Sequence, residues 1–304
     1  MTLKSDRPFR RSAVKLLSQF LLGSGRAHYH SWLPSLSISG RAVGSPGVLQ
    51  FRGKRAGQLL DADSLAARCG DRVVIIGSGP SVKGQDLRRL PPHSALLLNG
   101  AISLAGDQIT EPLAVVMEDE RFVWRHADMI RKHMTAGTLC LLSPGVIRAL
   151  SELDSGWLSG RSVILIDDIR KPYGHPRRKA AELRALEFAT LSPDGAAGFS
   201  ADPDKGVFQG GSVAISALQF ALGTNAREIG FLGVDISNAN TPRFYESDGD
   251  VAFSGIAGAE ARILAHIALA RDFAATKGVE LINHSPVSAL RSIGLDYRPL
   301  ESAA

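Results

Sequence analysis

Seven short apolar runs limit the folds open to this chain: Val73–Ile76, Ala95–Leu98, Leu113–Met117, Thr138–Leu142, Val163–Ile166, Glu228–Leu232 and Val279–Ile282. Each has strand length, and most carry no polar residue at alternate positions, which suits strands covered on both faces. Segments that read as helices lie near 125–134, 144–153, 178–190, 212–222 and 257–277. Buried strands alternating with helices predict an α/β fold: a Rossmann-like, doubly wound, mostly parallel sheet with helices on both faces. The domain is expected over 69–298. Residues 1–68 form a lead-in whose Gly-, Ser- and Arg-rich part, 23–68, reads as loosely ordered until a helix near 60–68. Two further connections are glycine-rich, Asp194–Gly211 and Ser237–Gly258. The second is long for a compact domain, so a mobile lid is expected at about 237–258.

A chain of 304 residues supplies one large α/β domain or two small ones. Its formal net charge of +5 favours acidic partners or an anionic membrane surface. No aromatic-basic RNA motif and no zinc-finger spacing accompanies that charge, so no nucleic-acid partner is expected. The two cysteines, Cys69 and Cys140, lie far apart without a metal-ligand pattern and read as reduced thiols. No apolar stretch approaches the roughly 20 residues of a membrane-spanning helix. Residues 8–22, PFRRSAVKLLSQFLL, set Arg10, Arg11 and Lys15 against Val14, Leu16, Leu17, Phe20, Leu21 and Leu22 at helical spacing. Such a basic amphipathic segment suits a peripheral membrane contact or an ordinary N-terminal helix packed on the domain; a weak signal peptide is a third reading, against which stand the interruptions at Lys15, Ser18 and Gln19 and the lack of a good cleavage site after them.

The first strand runs into Gly77-Ser78-Gly79-Pro80-Ser81. A strand ending in Gly-x-Gly before a helix offers free backbone N–H groups to an anion, and Ser81 suits a helix cap. The dinucleotide fingerprint would need a third glycine where Val82 stands, and an acidic residue where the next strand ends at Asn99. The loop therefore suits a nucleotide phosphate but not NAD, or else a tight turn with no ligand. A second glycine turn, Gly210-Gly211-Ser212, opens the helix near 212–222, and the following strand delivers Asp235 at its carboxyl end. Ligands of open α/β sheets bind at those ends. Asp235 thus reads either as a functional carboxylate or as a loop cap.

The stretches GSGPSV, LPPHSALLLNGA, PLAVVMEDERF and GGSVAISALQFALGTNAREIGFLGVDIS, with Arg243-Phe244-Tyr245-Glu246 after Gly233-Val234-Asp235, carry a resemblance. Over roughly residues 72–290 the chain resembles the lipopolysaccharide core Kdo transferases, relatives of the family 42 bacterial sialyltransferases. That resemblance implies a sialyltransferase-like glycosyltransferase fold, CMP-Kdo as donor and a lipopolysaccharide core acceptor. It also implies no metal or other cofactor, and a place on the cytoplasmic face of the inner membrane. The cluster Arg170, Lys171, His175, Arg177, Arg178 and Lys179 would meet anionic sugars, or simply be a solvated helix start. Donor contacts would come from Gly77, Ser78, Gly79, Ser81, Asn99, Glu118, Gly210, Gly211, Ser212, Arg243 and His284. Asp235, Tyr245 and Glu246 would be catalytic: an acid as base or nucleophile, with Tyr245 and Arg243 at the leaving phosphate. The sialyltransferase pattern would place a histidine base just before the last long helix, where this chain reads FSGIAGAEAR; His266, further along, reads as a core or surface residue. Magnesium-dependent pyrophosphokinase-like enzymes share the Gly-Ser-Gly-Pro-Ser and Gly-x-Asp signatures and are one alternative; a sialyltransferase-like enzyme and a non-catalytic membrane-associated nucleotide- or glycan-binding protein are the others.

Overall fold

The apolar runs form seven adjacent strands, reaching one edge, of a ten-stranded mixed sheet. The computed structural model describes residues 7–40, 46–236, 243–245 and 257–300. Three strands come first: β1 (Leu36–Ser39), β2 (Gly47–Phe51) and β3 (Lys54–Leu60). Next are β4 (Arg72–Ile76), β5 (Ala95–Leu98), β6 (Ala114–Met117), β7 (Leu139–Leu142) and β8 (Ser162–Leu165). A small hairpin, β9 (Ala189–Leu191) and β10 (Gly198–Ser200), stands apart, and β11 (Glu228–Leu232) and β12 (Glu280–Asn283) complete the set. The spatial order is β1-β2-β3-β8-β7-β6-β5-β4-β11-β12. Within this ten-stranded sheet the pairings along β3-β8-β7-β6-β5-β4-β11-β12 are parallel, and β1-β2 and β2-β3 are antiparallel.

Helices are α1 (Phe9–Arg26), α2 (Asp63–Ala66), α3 (Glu120–Arg125), α4 (Ala127–His133), α5 (Pro144–Leu153), α6 (Ala180–Arg184), α7 (Val213–Leu222) and α8 (Glu260–Thr276). Helix α7 shows why the sequence folds this way. Ser212 caps its start by accepting from Ala214 N–H at 3.3 Å, Gly223 follows its end, and it is apolar nearly all round. A helix without a polar face must be buried. With α8 it covers one face of the sheet, packing Ile215, Leu218 and Ile267 against Val73, Ile75, Leu96 and Phe231. Helices α3, α4 and α5 cover the other, setting Val123, Ile130 and Ile147 on Val74, Leu97, Val115 and Cys140. Each such fully buried side chain contributes roughly 1.5–3 kcal/mol.

The α/β class with a large, mostly parallel sheet expected from the sequence is present, but the described part of the lead-in carries helix and strand rather than loose loop. Strands β1, β2 and β3 extend the sheet, with β3 pairing with β8. The expected helix over 178–190 shortens to α6, because the chain turns into β9 and lays Leu183 and Leu186 on Ile169 and Phe208. Glu246 and most of the expected lid lie outside the described residues; Arg243–Tyr245 are described.

Candidate functional site

The strand order reverses between β4 and β11, where open α/β sheets keep their ligand crevice. Here the two loops fill that place with each other. The Gly79 N–H donates to Gly233 O at 2.8 Å. Ser81 donates its N–H to Asp235 Oδ2 at 2.9 Å and its hydroxyl to Oδ1 at 2.5 Å, and Ser285 Oγ lies 3.0 Å from that hydroxyl. A side chain at Gly77 would strike the Gly233 backbone, and one at Gly79 the Asp235 carboxylate. The glycines permit this close approach of two loops. No helix follows: Pro80–Val82 make a single 3-10 turn and Lys83 is extended. The expected anion cradle is therefore corrected. The Gly79 and Ser81 amides and the Ser81 hydroxyl have protein partners, and Asp235, 9% exposed, is a clasp between β4 and β11 with both oxygens engaged.

The second glycine turn also packs on protein. Arg262 donates through Nε to Gly210 O at 2.9 Å, a side chain on Gly211 would meet its guanidinium, and Gly210 abuts His266. His266 is buried, and its Nδ1 lies 2.7 Å from Gly198 O. Burial pushes this imidazole down to about 4, a neutral core residue. His284 is corrected as well. Its ring turns back over Gly230, where the missing side chain leaves room, and Nδ1 lies 2.7 Å from Arg298 O. Although it directly follows β12, its ring is buried against the middle of β11, and burial lowers its pKa.

What gathers instead is a group over the carboxyl ends of β4, β5 and β6. Phe244 N–H donates to Ser78 O at 3.2 Å. The Tyr245 ring lies on Gly100, edge-on to His126 at 5.7 Å, and Arg243 Nη1 donates to the Tyr245 hydroxyl at 3.3 Å. Asn99, in the left-handed region with φ 46°, follows β5, and its Oδ1 is buried with no partner among the described residues. The left-handed conformation is one that asparagine tolerates better than most residues. An orphaned buried acceptor costs free energy, so it marks a place for an N–H or O–H donor.

Three successive acids after β6 have three different fates. Asp119 caps α3, accepting from Arg121 N–H at 2.9 Å. Glu120, 5% exposed, is an ion-pair partner of Arg7, Arg11 and Arg148. Glu118 stays at the strand tip, its backbone carbonyl held by the Ser143 hydroxyl at 2.6 Å and its Oε1 buried without a hydrogen bond. Burial pushes the Glu118 carboxyl up to about 8; Asp168 and Asp119 add to the rise, and the Ser216 hydroxyl opposes it. Ser216, fully buried one turn into α7, and Asp168, just past β8, were not anticipated. Both carry a readable signal: a serine inside an otherwise apolar helix, and an acid at a strand's carboxyl end. Among the described residues, no group of three His, Cys, Asp or Glu side chains is placed to hold a metal ion.

Comparison with known proteins adds no relative: no family model, no curated protein and no solved structure matches the chain.

The contact of Tyr245 with Gly100 has a direct test. In Gly100→Ala the new methyl overlaps the tyrosine ring. Tyr245 should be displaced and trypsin should cut faster at Arg243, while global stability falls by no more than about 1 kcal/mol because the disturbed contact is peripheral. Unchanged cleavage would show that Tyr245 does not depend on this seat.

Proposed function

We propose that the chain is a CMP-sugar-dependent glycosyltransferase that moves Kdo, or a related keto-acid sugar, to the lipopolysaccharide inner core. It would work on the cytoplasmic face of the inner membrane, with a sialyltransferase-like fold and residues 237–258 as its lid. One observation carries the reading: Ser78, Asn99, Glu118 and the Arg243–Tyr245 segment converge on the tips of β4, β5 and β6. Asn99 Oδ1 suits a donor group of the nucleotide. Arg243 and the Tyr245 hydroxyl suit the departing phosphate. Glu118 replaces Asp235 as the candidate base, since a general base works best with a pKa near the operating pH. In the transfer the acceptor oxygen bonds to the anomeric carbon, the carbon–oxygen bond to CMP breaks, and Glu118 takes the hydroxyl proton.

A thermal-shift series with CMP, CDP, ATP with magnesium, NAD and S-adenosylmethionine tests the reading. CMP at 100 times its dissociation constant should add roughly 2.7 kcal/mol of stability, and ATP, NAD and S-adenosylmethionine much less. Stabilisation by ATP with magnesium alone would move the chain to the pyrophosphokinase-like class. No shift with any nucleotide would refute the proposal.

A further inference from the structure

Helix α1 is turned inside out relative to an ordinary surface helix. Its buried positions are Arg11 and Ser18, seven residues apart on one side. On the opposite side Phe9 is 89% exposed and Phe20 86%, with Leu16, Leu17 and Leu21 exposed beside them. A surface helix normally faces its apolar stripe inward. Here buried polar bonds set the orientation: Arg11 donates to Leu33 O at 3.1 Å and to His30 O, and pairs with Glu120. An apolar patch of large side chains presented in this way marks a contact surface.

Charge identifies the partner. From Phe9 to Arg26 the helix holds no acidic residue, and Arg10, Lys15 and Arg26 are exposed. Gly23, at φ 68°, kinks the chain, and beyond it Gly25 O accepts from Arg177 N–H at 2.7 Å. His28 Nε2 lies 3.1 Å from His175 O. The basic segment 170–179, itself without an acid, is thus joined to the end of the apolar helix. Two features more than 140 residues apart in sequence form one surface, apolar in the middle and basic around it. A second copy of the same patch would bring like charges together; an anionic lipid surface meets both parts. Among the described residues no helix is long and apolar enough to cross a membrane.

We propose that α1 and the 170–179 segment form a membrane-docking face that lies on an anionic bilayer, with Phe9, Leu16 and Phe20 inserted at the headgroup boundary and Arg10, Lys15, Arg26 and Arg177 against lipid phosphates. This deepens the reading of a membrane-borne acceptor but rests on a separate observation. Vesicle co-sedimentation of the full chain without nucleotide tests it. Phosphatidylcholine vesicles containing phosphatidylglycerol should bind the protein at low salt, and phosphatidylcholine alone should bind it weakly. The double variant Leu16→Glu/Phe20→Glu should lose about tenfold or more in partitioning with an unchanged melting temperature. Arg10→Gln and Lys15→Gln should each lose about fivefold, an effect that added salt suppresses. Binding to neither vesicle, or equal binding by wild type and the double variant, would overturn the proposal. So would a wild-type dimer that the double variant dissolves, which would make a second copy the occupant. Failure here leaves a CMP-induced thermal shift intact, and absence of that shift leaves vesicle binding intact.

Discussion

Glu120→Ala is expected to destabilise the folded chain by about 3–5 kcal/mol, the cost of leaving buried charge uncompensated. Glu120 is 5% exposed and faces three guanidinium groups, from Arg7, Arg11 and Arg148. Arg148 is fully buried; it donates Nε to Ser31 O at 3.0 Å and Nη1 to Glu152 at 2.5 Å. Burial already holds Arg11 down at about 10, with the Arg148 charge adding to the effect and Glu120 opposing it. Without the carboxylate, Arg11 and Arg148 repel each other in a poorly hydrated site with only Glu152 nearby. Glu152→Ala should cost less, because its side chain is 14% exposed and it pairs directly with Arg148 while acting on Arg11 only at longer range. Urea unfolding with linear extrapolation measures both variants. A loss below about 1 kcal/mol for Glu120→Ala would show that water enters and solvates the arginines. The same cluster holds α1 against the domain, so the variant should also disturb the orientation of the apolar helix face.

The legibility of this fold varied with how completely a segment is buried. Strands β4 to β8 and β11 are largely buried on both faces, so their apolar runs marked them to within a residue or two at each end; the edge strand β12, which opens on exposed Glu280, was marked as closely. Helix α5 matched its expected 144–153 range because Ser143 caps it and Pro144 starts it. Strands β1 to β3 escaped notice. In β1 buried and exposed residues alternate over only four positions, and β3 begins with exposed Lys54 and Arg55. So short an alternation gives little periodicity to detect. For α1 the helix was legible but its inward face was not, since Arg11 is drawn in by carbonyl groups and a carboxylate distant in sequence.

The candidate site was legible through strand ends and obscure through loops. Asn99 and Glu118 follow directly from the positions of β5 and β6. Asp235 and Ser81 carried the right residue types for a ligand site, yet they bind each other across 154 positions, a pairing that no local pattern encodes. His284 was misplaced for a similar reason: the space over Gly230 that receives its ring exists only once β11 and β12 are paired. Gly77 and Gly79 therefore signalled close approach, while what approaches them was a matter of tertiary structure.

Glu118→Gln is expected to make the chain more stable than wild type in alkali and to leave it nearly unchanged in acid. The ordinary carboxyl value is 4.5, and burial in the fold lifts it to about 8. Between these two values the folded chain holds a proton that the unfolded chain has released. Stability from this group is therefore fully present below the unfolded value and is lost as pH rises through about 8. The loss is about 1.4 kcal/mol for each pH unit crossed, a few kcal/mol in all. A neutral glutamine removes that slope, so wild type and variant should agree near the low end of the window and diverge steadily towards about pH 8. Urea titrations across that range measure it; parallel profiles would show that Glu118 ionises freely in the folded chain. If Glu118 is also the base of the transfer, the same variant should lose about 10²–10⁴-fold in kcat. Its CMP-induced thermal shift should survive, because glutamine keeps the shape of the strand tip and Asn99, Arg243 and Tyr245 are untouched. Loss of turnover with nucleotide binding and folding both preserved would separate a proton-transfer role from a structural one. Full activity in Glu118→Gln would transfer the basic role away from the tip of β6.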